Sequence, residues 1–307
     1  MSETVRRCNN GRSYALVTAA YNEEHHIERT ILSVVNQTVL PAKWVIVSDG
    51  STDRTDSIVL TYASQHTFID LCRITEEHPR NLTAQVNAIN TGFARLRLSD
   101  YSFIGNLDSD VSFAPRYFEL LLEAFTHDPT LGLTGGYIYE EQNGEFRNRV
   151  GNTVSSVAHA VQLFRSECLE SLGGYKAFSW AGADWHAEVT LRMKGWTVRS
   201  VPRLHVCHHR PTGRGFGALR YSYRGGIMDF YMGSNPLFEL ARIARRLRAK
   251  PYVIGGLVRL CGFASAYCRG ERRQVSEEFM RFLRREQMQR LRLMFRRPFQ
   301  KATHNTA

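Results

Sequence analysis

Asp108, Ser109 and Asp110 stand together just after a short apolar run, Tyr101-Ser102-Phe103-Ile104-Gly105. Two carboxylates at a strand end suit a hard divalent cation, Mg2+ or Mn2+, which takes oxygen ligands and shares them with substrate phosphates. Such a cation neutralises the charge that builds on a diphosphate as it leaves. The same triplet also fits a plain turn, because Asp and Ser favour turns. Its place at the end of an apolar strand favours the site. Asp49-Gly50-Ser51 ends a second run, Trp44-Val45-Ile46-Val47. A carboxylate there can accept hydrogen bonds from a base or ribose, or the segment is a tight turn leading to a helix cap. Asp53 reads as a helix-start residue. Asp184 opens a helical segment at a loop rim, placed to take a proton from an attacking hydroxyl, with a simple N-cap as the plain alternative.

Further along, His205, Cys207, His208, His209 and Arg210 cluster after an extended segment. His209 is the expected third metal ligand beside Asp110 and Asp108, and Arg210 the expected partner of phosphate charge. A zinc site is the rival, but it wants ligands from two separated pairs, and no second pair is visible. Arg80 and Asn81 precede a helix starting at Leu82, where phosphate can bind; a solvated loop is the common outcome. Thr212-Gly213-Arg214-Gly215-Phe216-Gly217 reads as a loop that closes over a ligand or as plain surface.

These residues need a frame to bring them together. Tyr14–Ala20, Trp44 to Val47, Ile69–Ile74 and Tyr101 to Gly105 read as strands, the first a near-continuous apolar run typical of a buried parallel strand. Between them lie helical segments at residues 24–37, 52–64 and 82–98, the first with Ile27, Ile31, Val34 and Val35 on one face. Alternating β and α units predict an α/β fold with a mostly parallel sheet and helices on both faces. Ligands in such sheets bind outside the carboxyl ends of the strands. Tyr21-Asn22-Glu23, Asp49-Gly50-Ser51 and Asp108-Ser109-Asp110 all fall at such ends.

The set resembles the family 2 glycosyltransferases of GT-A fold, including those of bacterial surface-polysaccharide assembly, across residues 14–202. The matching elements are Ala20-Tyr21-Asn22-Glu23-Glu24, Ser48-Asp49-Gly50-Ser51-Thr52-Asp53, Asn87-Ala88-Ile89-Asn90-Thr91-Gly92, Leu107-Asp108-Ser109-Asp110, Leu172-Gly173-Gly174-Tyr175 and Gly182-Ala183-Asp184 ahead of Lys194-Gly195-Trp196. The resemblance implies a nucleotide-sugar pocket that includes Tyr21, Glu23, Asp49 and Asp108; Ala20, Ser109, Arg80 and Arg210 are expected to complete it. Tyr21 packs on the base, Asp49 binds it, and Asp108 contacts the ribose or the metal. It further implies that Asp110 holds the metal and that Asp184 is the general base of a single inverting displacement. Two positions depart from the family pattern. Ala183 stands where a second acidic residue is common, leaving Glu188 a turn on as reserve, and Ser48 stands where Asp-Asp often precedes Gly-Ser. A sugar-phosphate nucleotidyltransferase is the alternative enzyme, but it needs a Gly-rich basic loop after the first strand, and Ala20-Tyr21-Asn22-Glu23 is not one.

Charge sets the expectation for the rest of the chain. The net charge is +11 over 307 residues. Residues 236–307 hold 17 Lys and Arg against 5 Asp and Glu, while residues 1–235 hold 23 against 24. The body is neutral and the tail is basic. Leu237, Leu240, Ile243, Ala244 and Leu247 recur at helical spacing among Arg242, Arg245, Arg246 and Arg248, as do Phe279, Phe282, Leu283 and Leu291 further on. These predict basic amphipathic helices that lie on an anionic membrane surface or pack on the body. A non-catalytic membrane-binding protein is the reading in which the tail is everything; nucleic acid is not expected as a partner. The expected organisation is a polar segment at 1–13, a catalytic domain at 14–235 and a basic helical region at 236–307.

No secretory leader and no confident membrane span is read. The nearest approach, residues 251–268, is broken by Arg259. The six cysteines show no paired spacing and read as reduced thiols. The expected location is therefore cytoplasmic, on the inner membrane face. Neither several spans nor a Gln-x-x-Arg-Trp segment of the processive synthases is found, so transfer of a single sugar to a saccharide or lipid-linked saccharide is expected.

Overall fold

A computed structural model describes residues 12–76, 82–142, 144–210, 217–246 and 254–296. The chain divides into two compact units, Met1–Thr212 and Gly213–Ala307. In the first, β1 (Tyr14–Ala20), α1 (Ile27–Val35), β2 (Lys43–Asp49), α2 (Thr55–Ala63), β3 (Ile69–Ile74), α3 (Leu82–Ala94) and β4 (Phe103–Leu107) alternate as expected. Then follow β5 (Val111–Phe113), α4 (Tyr117–His127), β6 (Leu131–Gln142), β7 (Glu145–Asn148), β8 (Val161–Arg165), α5 (Ser166–Leu172), α6 (Ala183–Met193) and β9 (Thr197–His208).

The sheet runs β3-β2-β1-β4-β8-β6-β9-β5, with β7 paired to β6. It is parallel from β3 through β4. Beyond β4 it is mixed: β8 lies antiparallel between β4 and β6, β9 is parallel to β6, and β5 is antiparallel to β9. The extended segment expected at the histidine cluster is β9, one strand with a bulge. Its Val201 pairs with Gly136 and its His205 with Tyr137, so three residues are looped out against none.

Alternation along the strands builds two cores. Tyr14 and Leu16 of β1 face Ile27, Ile31 and Phe118 on one side of the sheet. Ala15 and Val17 face Ile89, Phe93 and Leu191 on the other. Both faces are covered, which explains why β1 and β2 are apolar almost throughout. Gly92 sets how closely α3 approaches: a Cβ there would lie 2.3 Å from Val17 Cγ1 and 3.0 Å from Val47 Cγ2.

The second unit is helical: α7 (Ala218–Tyr231), α8 (Pro236–Arg246), α9 (Ile254–Cys268) and α10 (Glu277–Arg296). The boundary expected at 235/236 thus falls between α7 and α8, inside this unit. α9 crosses α7 at glycines; a Cβ on Gly262 would lie 2.1 Å from the Tyr223 carbonyl oxygen. Asp229 of α7 is fully buried and receives Arg242 of α8 and Arg259 of α9, the latter with Nε at 2.8 Å.

Candidate active site

β1 lies between β2 and β4, so the loops leaving their carboxyl ends share a crevice. Asn22 holds φ at +52°, a left-handed conformation that Asn tolerates. From there its Oδ1 accepts the Thr52 N–H at 2.8 Å, and the Glu23 N–H reaches the Thr55 hydroxyl at 2.8 Å. Asp53 accepts the N–H groups of Thr55 and Glu24 at 2.9 and 3.0 Å. It acts as a helix-start residue that also ties the first loop to the second. Asp49 is buried at the end of β2, Ala20 is buried at the end of β1, and Tyr21 stands 43% exposed beside it.

The Asp108-Ser109-Asp110 turn joins β4 to β5. Ser109 is buried, and its carbonyl accepts the Thr30 hydroxyl of α1 at 2.8 Å, which fixes the turn to the helix. Asp108, Asp110 and His208 each offer a ligand atom, and these atoms lie within 4.8 Å of one another. Asp110 Oδ1 is 3.0 Å from His208 Nε2, and Asp110 Oδ2 accepts Arg210 Nε at 3.0 Å. Arg210 also donates to Glu23 Oε1 at 2.5 Å. Two carboxylates and one imidazole are an oxygen-rich donor set that fits a divalent cation such as Mn2+ or Mg2+.

The expected histidine was the wrong neighbour. His209 Nε2 lies 2.7 Å from Ser112 Oγ, and its ring packs edge-on against Phe146. Successive strand residues face opposite ways, so His208 takes the place next to Asp110.

The electrostatics follow from these partners. Burial works to raise the Asp110 carboxyl, but His208 and Arg210 outweigh it and hold it below the ordinary range. Glu23 goes the other way: burial lifts it despite Arg210. Burial pushes His209 down to about 4.

On the other side of the turn, His159 Nδ1 lies 3.3 Å from Asp108 Oδ1. Asn106 donates to the His159 carbonyl at 2.7 Å and so holds the segment carrying that ring. His159 had no signal in the sequence, since residues 149–160 carry no regular pattern. Tyr175, buried beside it, donates its hydroxyl to Gln162. Asn90 of α3 clasps the backbone of Tyr175, accepting its N–H at 2.9 Å and donating to its carbonyl at 2.8 Å. A Cβ on Gly174 would lie 2.8 Å from that same Asn90 oxygen, and Gly174 holds φ at +86°. This is the physical content of the paired Asn90 and Gly173-Gly174-Tyr175 motifs.

Asp184 lies half-buried in the first turn of α6. Ala181 and Gly182 before it hold φ at +81° and +98°. For Ala181 that conformation costs about 1–3 kcal/mol, the kind of strain found where a side chain must be aimed. Glu188, the reserve carboxylate, is spent on structure: its Oε1 accepts the Val157 N–H at 2.7 Å and the Ser156 hydroxyl at 3.0 Å. Burial raises it to about 8. Arg80 with Asn81, and residues 212–216, lie outside the described residues.

The profile of glycosyl transferase family 2 matches residues 15–182, more than half of the chain. The chain belongs to that family. Among curated relatives, poly-beta-1,6-N-acetyl-D-glucosamine synthase of Staphylococcus aureus (strain COL) is 30% identical over 212 residues, covering 62% of this chain and 48% of the relative. Chondroitin synthase of Pasteurella multocida (strain Pm70) is 30% identical over 155 residues, 47% of this chain and 15% of the relative. The chain thus spans about half the length of the first of these, or less.

Among solved structures, the mannosyltransferase PcManGT from Pyrobaculum calidifontis, in complex with GDP-Man and Mn2+, superposes with a TM-score of 0.54. It is 20% identical, covering 93% of this chain and 81% of that one. S. aureus TarS 1–349 in complex with UDP gives 0.51 at 13% identity, covering 84% and 72%. The fold is the GT-A fold of these proteins.

Proposed function

We propose that the chain transfers a sugar from a UDP- or dTDP-sugar to a hydroxyl of a saccharide or lipid-linked saccharide, by a single inverting displacement. The observation that carries this reading is the convergence of Asp108, Asp110 and His208 at the ends of β4 and β9. Those three residues would hold a divalent cation, which supplies neutralisation of the diphosphate charge when bound. Arg210, the partner of Asp110 and Glu23, adds a guanidinium suited to bidentate phosphate contact. Tyr21 and Asp49 line the base and ribose end. Asp184 takes the proton from the acceptor hydroxyl as its oxygen attacks the anomeric carbon, and the sugar–phosphate bond breaks on the opposite side. The GDP-Man, Mn2+ and UDP held by the similar structures support the donor class. The polysaccharide synthases among the relatives support a saccharide acceptor. The basic tail supports work at an anionic membrane surface, on the cytoplasmic face.

The test is a thermal-shift panel of nucleotide-sugars with and without Mn2+, joined to transfer assays of two variants. A metal-dependent shift is expected. Asp110→Asn is expected to lose both the shift and transfer, and Asp184→Asn to lose transfer while keeping the shift. Full activity in both variants would sink the proposal.

A further inference from the structure

α8 and α9 each turn an arginine inward and apolar side chains outward. The only charged side chain of α9 is Arg259, and it is turned inward onto the buried Asp229. Its fully exposed positions are Ile254, Leu257, Cys261, Ala264, Tyr267 and Cys268, none of them charged. Ile254, Leu257, Cys261, Ala264 and Cys268 recur at alternating steps of three and four, so they form one stripe along the helix.

α8 repeats the arrangement. Arg242 turns inward to Asp229 and Glu239, while Leu237, Leu240 and Ala244 recur at the same spacing on the outside. Leu237 is 62% exposed and Ile254 57%. Single exposed leucines are ordinary, but two helices that hide arginine and show leucine are not.

The pattern suits a hydrocarbon environment outside and a polar one inside. Yet the 15 residues of α9 reach only about 22 Å at about 1.5 Å per residue, against about 30 Å of bilayer hydrocarbon. No helix among the described residues is long and apolar enough to cross a membrane. A helix of this kind lies within the interface plane instead. Charge selects the lipid. The same unit exposes Arg269, Arg272, Arg281, Arg285 and Arg292, and residues 236–307 carry a surplus of 12 positive charges. A second copy of the chain would bring an equal positive charge against this one, whereas an anionic bilayer supplies both acyl chains and the opposite sign.

The geometry points to the outer stripes of α8 and α9 as the surface that seats this chain on an anionic bilayer, with Leu237, Leu240, Ile254 and Leu257 among the acyl chains and the arginines of the unit at the headgroups. The inference rests on the membrane placement proposed above and names the surface responsible for it. The test is flotation of the full chain with vesicles of phosphatidylcholine alone or mixed with phosphatidylglycerol. The wild type is expected to float with the mixed vesicles. A Leu240→Glu/Leu257→Glu variant is expected to partition at least about tenfold more weakly, with its nucleotide-sugar thermal shift intact.

If the wild type floats and the variant floats equally, the surface is wrong while the membrane placement stands. If the wild type does not float, both fall. If light scattering shows a dimer that the double variant dissociates, with flotation unchanged, the stripe is a self-association face and the inference is overturned. Should the double variant unfold, bimane on Cys261, with the other reactive cysteines replaced by Ser, reads the same contact. Its emission is expected to shift to the blue on mixed vesicles, and an unchanged spectrum contradicts the inference.

Discussion

The molecule buries charge twice, in opposite ways. In the first unit, Asp110 and Glu23 share Arg210, whose side chain is half open to solvent, and His208 completes the group at the end of a strand. In the second, Asp229 is sealed completely, with Arg242 and Arg259 closed over it. The sealed cluster joins three helices. The open one has a half-exposed guanidinium on a carboxylate that also faces a second carboxylate, Asp108, and an imidazole. Both clusters pair carboxylates with arginine; access is what separates a joint from a site.

The comparison breaks most sharply with one substitution on each side. Asp110→Asn keeps the shape of the turn but removes a proposed cation ligand, and transfer should fall by about a thousandfold or more with the thermal midpoint within a few degrees of wild type. Asp229→Ala should do the reverse. It strands the buried Arg259 and leaves Arg242 on Glu239 alone, at a cost of about 3–5 kcal/mol, so that unit should melt more than about 10 °C lower in calorimetry, while nucleotide-sugar binding by the first unit persists. A drop in midpoint for Asp110→Asn as large as that for Asp229→Ala would erase the distinction.

A smaller effect tests the frame beneath the site. Gly92→Ala drives a methyl into Val17, and overpacking of this kind costs about 1–3 kcal/mol. Denaturant titration should report it without loss of metal dependence.

The smallest is a pH effect. Glu188 is raised from 4.5 to about 8 by burial. Its folded value lies above its unfolded one, so its contribution is fully present below about 4.5 and is lost as pH rises to about 8. Glu188→Gln keeps the acceptor for Val157 and Ser156 but cannot ionise. Its midpoint should decline less than that of wild type between pH 5 and 8, by a few degrees at the upper end.

Much of this was legible in the chain itself. β1 and β2 are buried on both faces, so their apolar runs mark them plainly, and the polar clusters that follow are forced to strand ends. The Asn90 and Gly174 motifs could be seen but not explained, because their meaning is a contact between residues 84 positions apart. The residue pattern does not say which of two adjacent histidines faces Asp110, because neighbours at a strand end point opposite ways; the structure brings His208 there and not the expected His209. His159 could not be found, since it reaches Asp108 from an irregular segment. Basic amphipathic helices are what the spacing of the tail predicts, but Arg242 of α8 and Arg259 of α9 turn inward, which only a partner such as Asp229 on another helix could reveal.

Asp108, Asp110 and His208 are the residues proposed to hold the cation. Titration of Mn2+ into the protein, followed by electron paramagnetic resonance in the presence of UDP, tests this directly across wild type, His208→Ala and His209→Ala. Mn2+ affinity is expected to fall about tenfold or more in His208→Ala, as for loss of a metal ligand or its support, and to stay near wild type in His209→Ala. Equal weakening in both, or weakening only in His209→Ala, would contradict it.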